Sequence, residues 1–166
     1  MSDEYATVND YEISWSSIKI TLNIDGGGTL KALDCEGVKW GRKLDTGRSY
    51  GTGGGRPMKE TEGKIDYDGS LIFTRSGIDA LEDALIAAGA PTRGNQVLIG
   101  LVRFTTVVQH STKANPSKVY TTRMKGCRYR GDTDDMKPGV DPDTVEVDVK
   151  PMEVVRVKNG KEICII

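Results

Sequence analysis

The chain has 166 residues, 37% of them hydrophobic and 28% charged, and a formal net charge of −1. That length suits one domain burying roughly two thirds of its unfolded surface, and the composition fits a globular fold. A near-neutral chain has no long-range field to gather nucleic acid or an anionic membrane, so a basic nucleic-acid binder is disfavoured.

The opening MSDEYATVND has no basic or apolar stretch and does not read as a secretory signal. No apolar run approaches the length that crosses a membrane as a helix, so membrane insertion is not expected. Cys35, Cys127 and Cys164 are far apart, odd in number and without metal-site spacing. They read as free thiols of a reducing compartment. Glycine is in excess, 20 of 166, and is clustered at Gly26, Gly27 and Gly28 and at Gly51, Gly53, Gly54 and Gly55.

In chain order, residues 1–12 read as a polar N-terminal arm. Ile18, Ile20, Leu22 and Ile24 alternate with Lys19, Thr21 and Asn23, the period of a strand with one buried face. Residues 25–28 supply a turn, and residues 30–40 read as a second strand completing a hairpin with the first. Residues 41–63, GRKLDTGRSYGTGGGRPMKETEG, hold seven glycines and a proline among many charges. They are expected to form a long loop without structure of its own, the kind that carries function. Residues 64–73 read as a strand, with a turn or bulge near Asp68-Gly69.

One helix is predicted over 76–89. Ser76 is the expected N-cap, Asp79 supplies favourable charge in the first turn, and Ile78, Leu81, Leu85 and Ala88 share the apolar face. Glu82 and Asp83 take the opposite side, and Gly89 with Pro91 ends the helix. Residues 97–109 and 119–130 read as apolar strands, the second interrupted at Gly126, with a polar loop over 111–117. Residues 131–143, GDTDDMKPGVDPD, read as an acidic loop. Val145, Val147 and Val149 alternate with Glu146, Asp148 and Lys150 in a half-buried strand. Asn159-Gly160 between two apolar runs is a strong hairpin signal. Seven or eight strands and one helix predict a mainly β domain: an antiparallel sandwich or partly open barrel with a helix on its flank.

The chemistry is sparse. His110 is the single histidine, so any Ser-His-Asp or Cys-His arrangement would have to use it, and zinc lacks a ligand set. GTGGGRPMK does not match the P-loop spacing. Asp132, Asp134 and Asp135 suggest calcium, but the fifth, sixth and twelfth places of such a loop hold Met136, Lys137 and Asp143. No cofactor or metal is expected, and no enzyme activity. Asp66, Asp68, Glu146 and Asp148 lie on the polar side of predicted strands. They are either plain solvent-facing residues or, repeated over several copies, an acidic lining. A sheet with long excursions and no active site suits a subunit that assembles with itself. A monomeric sugar-binding sandwich is the rival from another class, weakened by an aromatic content of 6% with Trp15 and Trp40 as the stacking platforms available.

Three segments carry a family likeness: RSYGTGGGRPMKETEGKIDYDGSLIF, SGIDALEDALIAAGA and GCRYRGDTDDMKPGVDPDTVEVDVKPMEVVRVKNGK. In type and order they resemble the tail tube proteins of long-tailed bacteriophages, over residues 45–160. The resemblance implies hexameric rings stacked into a hollow tube, with each sheet continued between subunits. It implies a fold shared with type VI secretion and other contractile injection tubes. It assigns contacts between subunits and rings to Tyr50, Gly51, Gly53, Gly54, Gly55, Arg56, Pro57, Met58 and Lys59, and further contacts to Asp132, Asp134, Asp135, Lys137 and Pro138. It makes Asp66, Asp68, Glu146 and Asp148 an acidic lumen that repels passing DNA, the inverse of phosphate neutralisation by bases. It implies a virion tail assembled in the host bacterial cytoplasm. The partners it implies are copies of the chain, a tape-measure protein, baseplate and terminator proteins and, in a contractile tail, a sheath.

Overall fold

In the computed structural model the described residues are 18–31, 35–50, 57–61, 63–112, 115–136, 138–139 and 143–164. The expected arm at 1–12 lies outside them. The described residues form thirteen strands and one α-helix. In chain order these are β1 (Ile18–Ile24), β2 (Thr29–Lys31), β3 (Cys35–Leu44), β4 (Gly47–Tyr50), β5 (Pro57–Thr61), β6 (Ile65–Thr74) and α1 (Arg75–Ala87). There follow β7 (Thr92–Arg93), β8 (Gln96–Val97), β9 (Arg103–Thr112), β10 (Asn115–Asp135), β11 (Thr144–Val149), β12 (Glu153–Lys158) and β13 (Lys161–Ile163).

The main sheet runs β2-β1-β9-β10-β11-β6-β3, with β12 and β13 branching from β10, all antiparallel. It does not close into a barrel. Its two halves fold over one another around β10, which belongs to both. Residues 121–125 of β10 lie between β9 and β12, whereas residues 129–135 pair with β11. The change comes at a register shift between Met124 and Cys127, where Gly126 takes a φ of 64°. The break expected at Gly126 is therefore a bulge that bends one long strand.

Alternation decides which side of each strand is buried. Ile20, Leu22 and Ile24 of β1, Phe104 and Val108 of β9, and Val145, Val147 and Val149 of β11 all enter one core with Leu71 and Phe73 of β6. Helix α1 plugs the end of that core with Ile78, Leu81 and Leu85, all nearly inaccessible. Each such side chain stabilises the fold by about 1.5–3 kcal/mol through lost apolar contact with water.

Several expectations are corrected. Residues 30–40 are not one strand. Thr29–Lys31 completes the hairpin with β1, while Cys35–Leu44 leaves it to pair with β6. Nor are residues 41–63 an irregular loop: β3 continues to Leu44, and Gly47–Tyr50 pairs with Pro57–Thr61. β6 shows no bulge at Asp68-Gly69. Its pairing with β3 passes evenly through both residues, because Ile65, Tyr67, Gly69, Leu71 and Phe73 already share one parity. The irregularity is on β3, between Cys35 and Gly37.

The N-cap is Thr74 rather than Ser76, since β6 stays extended through Thr74 and its hydroxyl accepts from the Gly77 N–H at 3.4 Å. Asp79 consequently falls outside the first turn. Residues 97–109 are not continuous strand either: a short β7–β8 hairpin and one 3₁₀ turn at Ile99–Leu101 precede β9. The first part of the acidic loop, through Asp135, belongs to β10. Gly89 ends the helix with a φ of 94°, and Asn159 and Gly160 turn the last hairpin with φ of 50° and 74°, both as expected.

Candidate assembly surfaces

The segment 41–63 makes a two-stranded arm. Among the described residues β4 and β5 pair only with each other, so they prolong the β3–β6 ribbon beyond the sheet. The join is tight. Leu44 pairs with Ile65, and the Asp45 N–H donates to the Lys64 carbonyl at 3.0 Å. A Cβ at Gly63 would lie 1.4 Å from the Asp45 carbonyl oxygen, so this crossing accepts no side chain. Of the residues assigned to the arm, Tyr50, Pro57, Met58 and Lys59 lie on its strands. Gly51, Gly53, Gly54, Gly55 and Arg56, at its tip, lie outside the described residues.

The open sheet leaves edges. β3 is ten residues long and has one neighbour among the described residues, so alternate backbone N–H and C=O groups along it face away from β6. β2 and β13, three residues each, form the other ends. An edge as long as β3 is a template for pairing with another chain.

Asp66, Asp68, Glu146 and Asp148 share one face, the side of the β3–β6–β11 sheet turned from the core. Their buried neighbours Leu71, Phe73, Val145, Val147 and Val149 have the opposite parity. Sequence reading missed the lysines among them. Lys43 stands opposite Asp66, and Lys39 stands opposite Ser70, itself opposite Asp148. Lys39 Nζ lies 3.5 Å from Glu146 and Lys64 Nζ 3.1 Å from Asp66. The signal was present: Lys39, Gly41 and Lys43 keep period 2 with Trp40 inward, once the strand is carried past Trp40. The face thus alternates in sign rather than being uniformly acidic.

The acids expected at a second contact point largely toward α1. Asp134 receives both bonds from Arg75 Nη1 at 3.1 Å. Tyr129 is pushed well above the usual phenol range, by burial first and by its hydrogen bond to Asp132 second. Burial also raises Glu82, with the charges of Asp79 and Asp132 adding to it. Asp135 closes β10, Pro138 sits in a bend beyond it, and Lys137 lies outside the described residues.

The groups able to do chemistry are dispersed. His110 stacks on Tyr120 with centroids 5.3 Å apart, and burial lowers its pKa. Cys35 and Cys127 are buried and pushed up to about 11, which makes them poor nucleophiles. Cys164 is exposed, 3.3 Å from the Tyr67 hydroxyl. Among the described residues no three His, Cys, Asp or Glu groups converge on a metal position, and no helix is long and apolar enough to cross a membrane.

No family model matches the chain, and no curated protein matches it by sequence. Solved structures do match. A chain of the extended sheath–tube complex of an extracellular contractile injection system, PVC, superposes with a TM-score of 0.57 at 13% identity, covering 89% of this chain and 93% of that one. A chain of the anti-feeding prophage baseplate, symmetrised six-fold, gives 0.59 at 9% identity over 90% and 97%. A chain of the tube-terminating cap of the anti-feeding prophage gives 0.55 at 14% identity over 95% and 99%. At such identities the likeness speaks to fold, and the fold is that of tail tube proteins.

Proposed function

We propose that this chain, which has the tail-tube fold, is a structural, non-catalytic tube subunit of a phage tail or a related contractile injection machine. Copies join sheet edge to sheet edge into rings of six, and rings stack through the β4–β5 arm. The observation that carries this reading is the open sheet: β3 offers a ten-residue edge, and the arm extends the same ribbon past the domain. The six-fold symmetry of the baseplate whose chain superposes on this one supports the ring size. In this reading residues 50–59 bridge neighbouring subunits and rings, and Asp132, Asp134, Asp135, Lys137 and Pro138 flank a second contact. The partners are terminator and baseplate proteins, a tape-measure protein, and a sheath where the tail contracts. The particle tail is the site of function, and assembly takes place in the host cytoplasm.

Asp66, Asp68, Glu146 and Asp148 then face the lumen together with Lys39, Lys43 and Lys64. Carboxylates hold phosphates off, and each interleaved lysine has a carboxylate beside it, Lys39 with Glu146, Lys64 with Asp66 and Lys43 with Asp45. DNA slides through such a lining without specific binding. The alternation of sign also favours a second reading, in which the tube of an injection machine passes cargo of either charge.

Negative-stain microscopy of the purified protein tests the assembly. Rings and tubes are expected, and a strictly monomeric species at high concentration overturns the reading. Deleting Gly51–Gly55 should leave the domain folded, by circular dichroism, while stopping polymerisation. Tubes of normal length from the deleted protein would remove the arm from the mechanism.

A further inference from the structure

The core is plugged by α1 at one end, and at the other it opens into a groove of about 830 Å³. The core-facing parity of the strands runs on into this groove. Tyr120 stands two residues before the buried Thr122, and Arg156 and Lys158 follow the buried Val154 on the same side of β12. Trp40 of β3 lines it from the other half of the sheet. Its charged lining is of one sign: Lys118, Arg156 and Lys158 border it, and no acidic residue does among those described. A groove of this size lies within the usual range for a bound partner group, about 300–1,000 Å³.

The helix end carries the reverse chemistry. α1 turns Ile78, Leu81 and Leu85 into the core. On its opposite side Asp79, Asp83 and Ile86 are spaced four and three residues apart, so they fall on one line, with Glu82 beside it. Ile86 is 46% exposed. Strand β1 connects the two ends. Ile18 pairs with His110 at the groove, and the turn after Ile24 brings Gly27 against α1, where a Cβ would lie 3.0 Å from that of Ala88. Seven residues of strand separate them, about 20 Å. Two unlike patches at opposite ends of one chain make a contact that does not close on a pair but repeats from copy to copy.

We propose that the exposed face of α1 in one copy seats in the groove of the next, so that copies stack end to end. The inference rests on the tube reading above and adds to the β4–β5 arm a second contact between successive copies. Ile86 enters between Trp40 and Tyr120, while Asp79, Glu82 and Asp83 meet Lys118, Arg156 and Lys158. A helix presenting one apolar anchor among charges is a usual occupant of such a groove. Asp79 to Ile86 spans two turns, about 10 Å. The charges also fix the direction of stacking. A copy turned end for end would set bases on bases or carboxylates on carboxylates, which costs affinity.

The test reverses charge on each side in the full chain and reads the concentration at which tubes form, by sedimentation and negative-stain microscopy. One variant carries Lys118→Glu, Arg156→Glu and Lys158→Glu. Another carries Asp79→Lys and Asp83→Lys. Each should raise that concentration at least about tenfold, the effect of losing two or three exposed ion pairs, with circular dichroism unchanged. A chain carrying all five substitutions should recover assembly, because acid again meets base. Ile86→Asp should also raise the concentration, without touching the groove. Unchanged assembly by the charge-reversed variants overturns this contact and leaves the tube reading standing. So does loss in both variants with no recovery in the combined, folded chain, because the two patches then do not face each other. A native chain that stays monomeric at high concentration overturns the contact and the tube reading together.

Discussion

The two outer faces of the folded sheet are built on the same alternation and end up different. On the β3–β6–β11 face, charges are spread singly along the strands, and their pairs are loose: Lys39–Glu146 at 3.5 Å and Lys64–Asp66 at 3.1 Å, with lysine side chains 68% and 78% exposed. On the β10–β12–β13 face, Glu162 takes Arg123 and Lys125 together, and Val155 beside them is buried although it points away from the core. One face satisfies its charges within the subunit and uses them to hold an edge strand. The other leaves its charges facing outward beside the longest free edge. The β3 side is therefore the face where charge and an unpaired strand edge lie together among the described residues.

The sharpest way to break that comparison is to move a charge by one residue. Val147→Asp would put a carboxylate into the core and should cost at least about 3 kcal/mol in urea unfolding, as an unpaired buried charge does. Asp148→Asn next to it should change stability by no more than about 0.5 kcal/mol. Equal effects would mean that the outer face has been assigned wrongly. Next in size, Gly63→Ala forces the Asp45 carbonyl aside and should destabilise by about 1–3 kcal/mol, seen as faster amide exchange in β4 and β5 with β9 unchanged.

Smaller still, Lys39→Glu sets a carboxylate beside Glu146 and Asp148. It should cost under about 1 kcal/mol, yet make assembly more dependent on salt. The smallest effect concerns acid. The hydrogen bonds from Lys125 and then Arg123 hold Glu162 below its ordinary 4.5. A depressed carboxylate stabilises above its unfolded pKa and loses that contribution as pH falls through the folded value. Exchange in β13 should therefore quicken below about pH 4.5, and Glu162→Gln should abolish that dependence.

Much of this architecture was legible because it was local. The Val145, Val147, Val149 alternation, the Ile78, Leu81, Leu85 stripe and the Asn159-Gly160 turn each state their structure within a few residues. The four acids could be grouped on one face for the same reason. What stayed hidden depends on distant partners. β4 and β5 have few apolar residues and are strands because each completes the other's ladder. Asp132 and Asp134 sit in a strand because β11 lies alongside, with Tyr129 and Arg75 to receive them. Lys39 and Lys43 are easily missed because their alternation shows only when the strand is carried past Trp40 along its partner β6. The expected loop at 41–63 was correctly singled out as unusual but for the wrong local structure.

β10 couples the two halves of the sheet mechanically. Its 21 residues run from the β9–β12 half, through the Gly126 bend, to the β11 half. Among the described strands no other pairs into both. A pull that separates the two halves is carried along this strand, perpendicular to its ladder bonds, so many bonds must fail together rather than one after another. In such a pull β10 is the tendon of the fold. The bend at Gly126 is where that tendon would first yield.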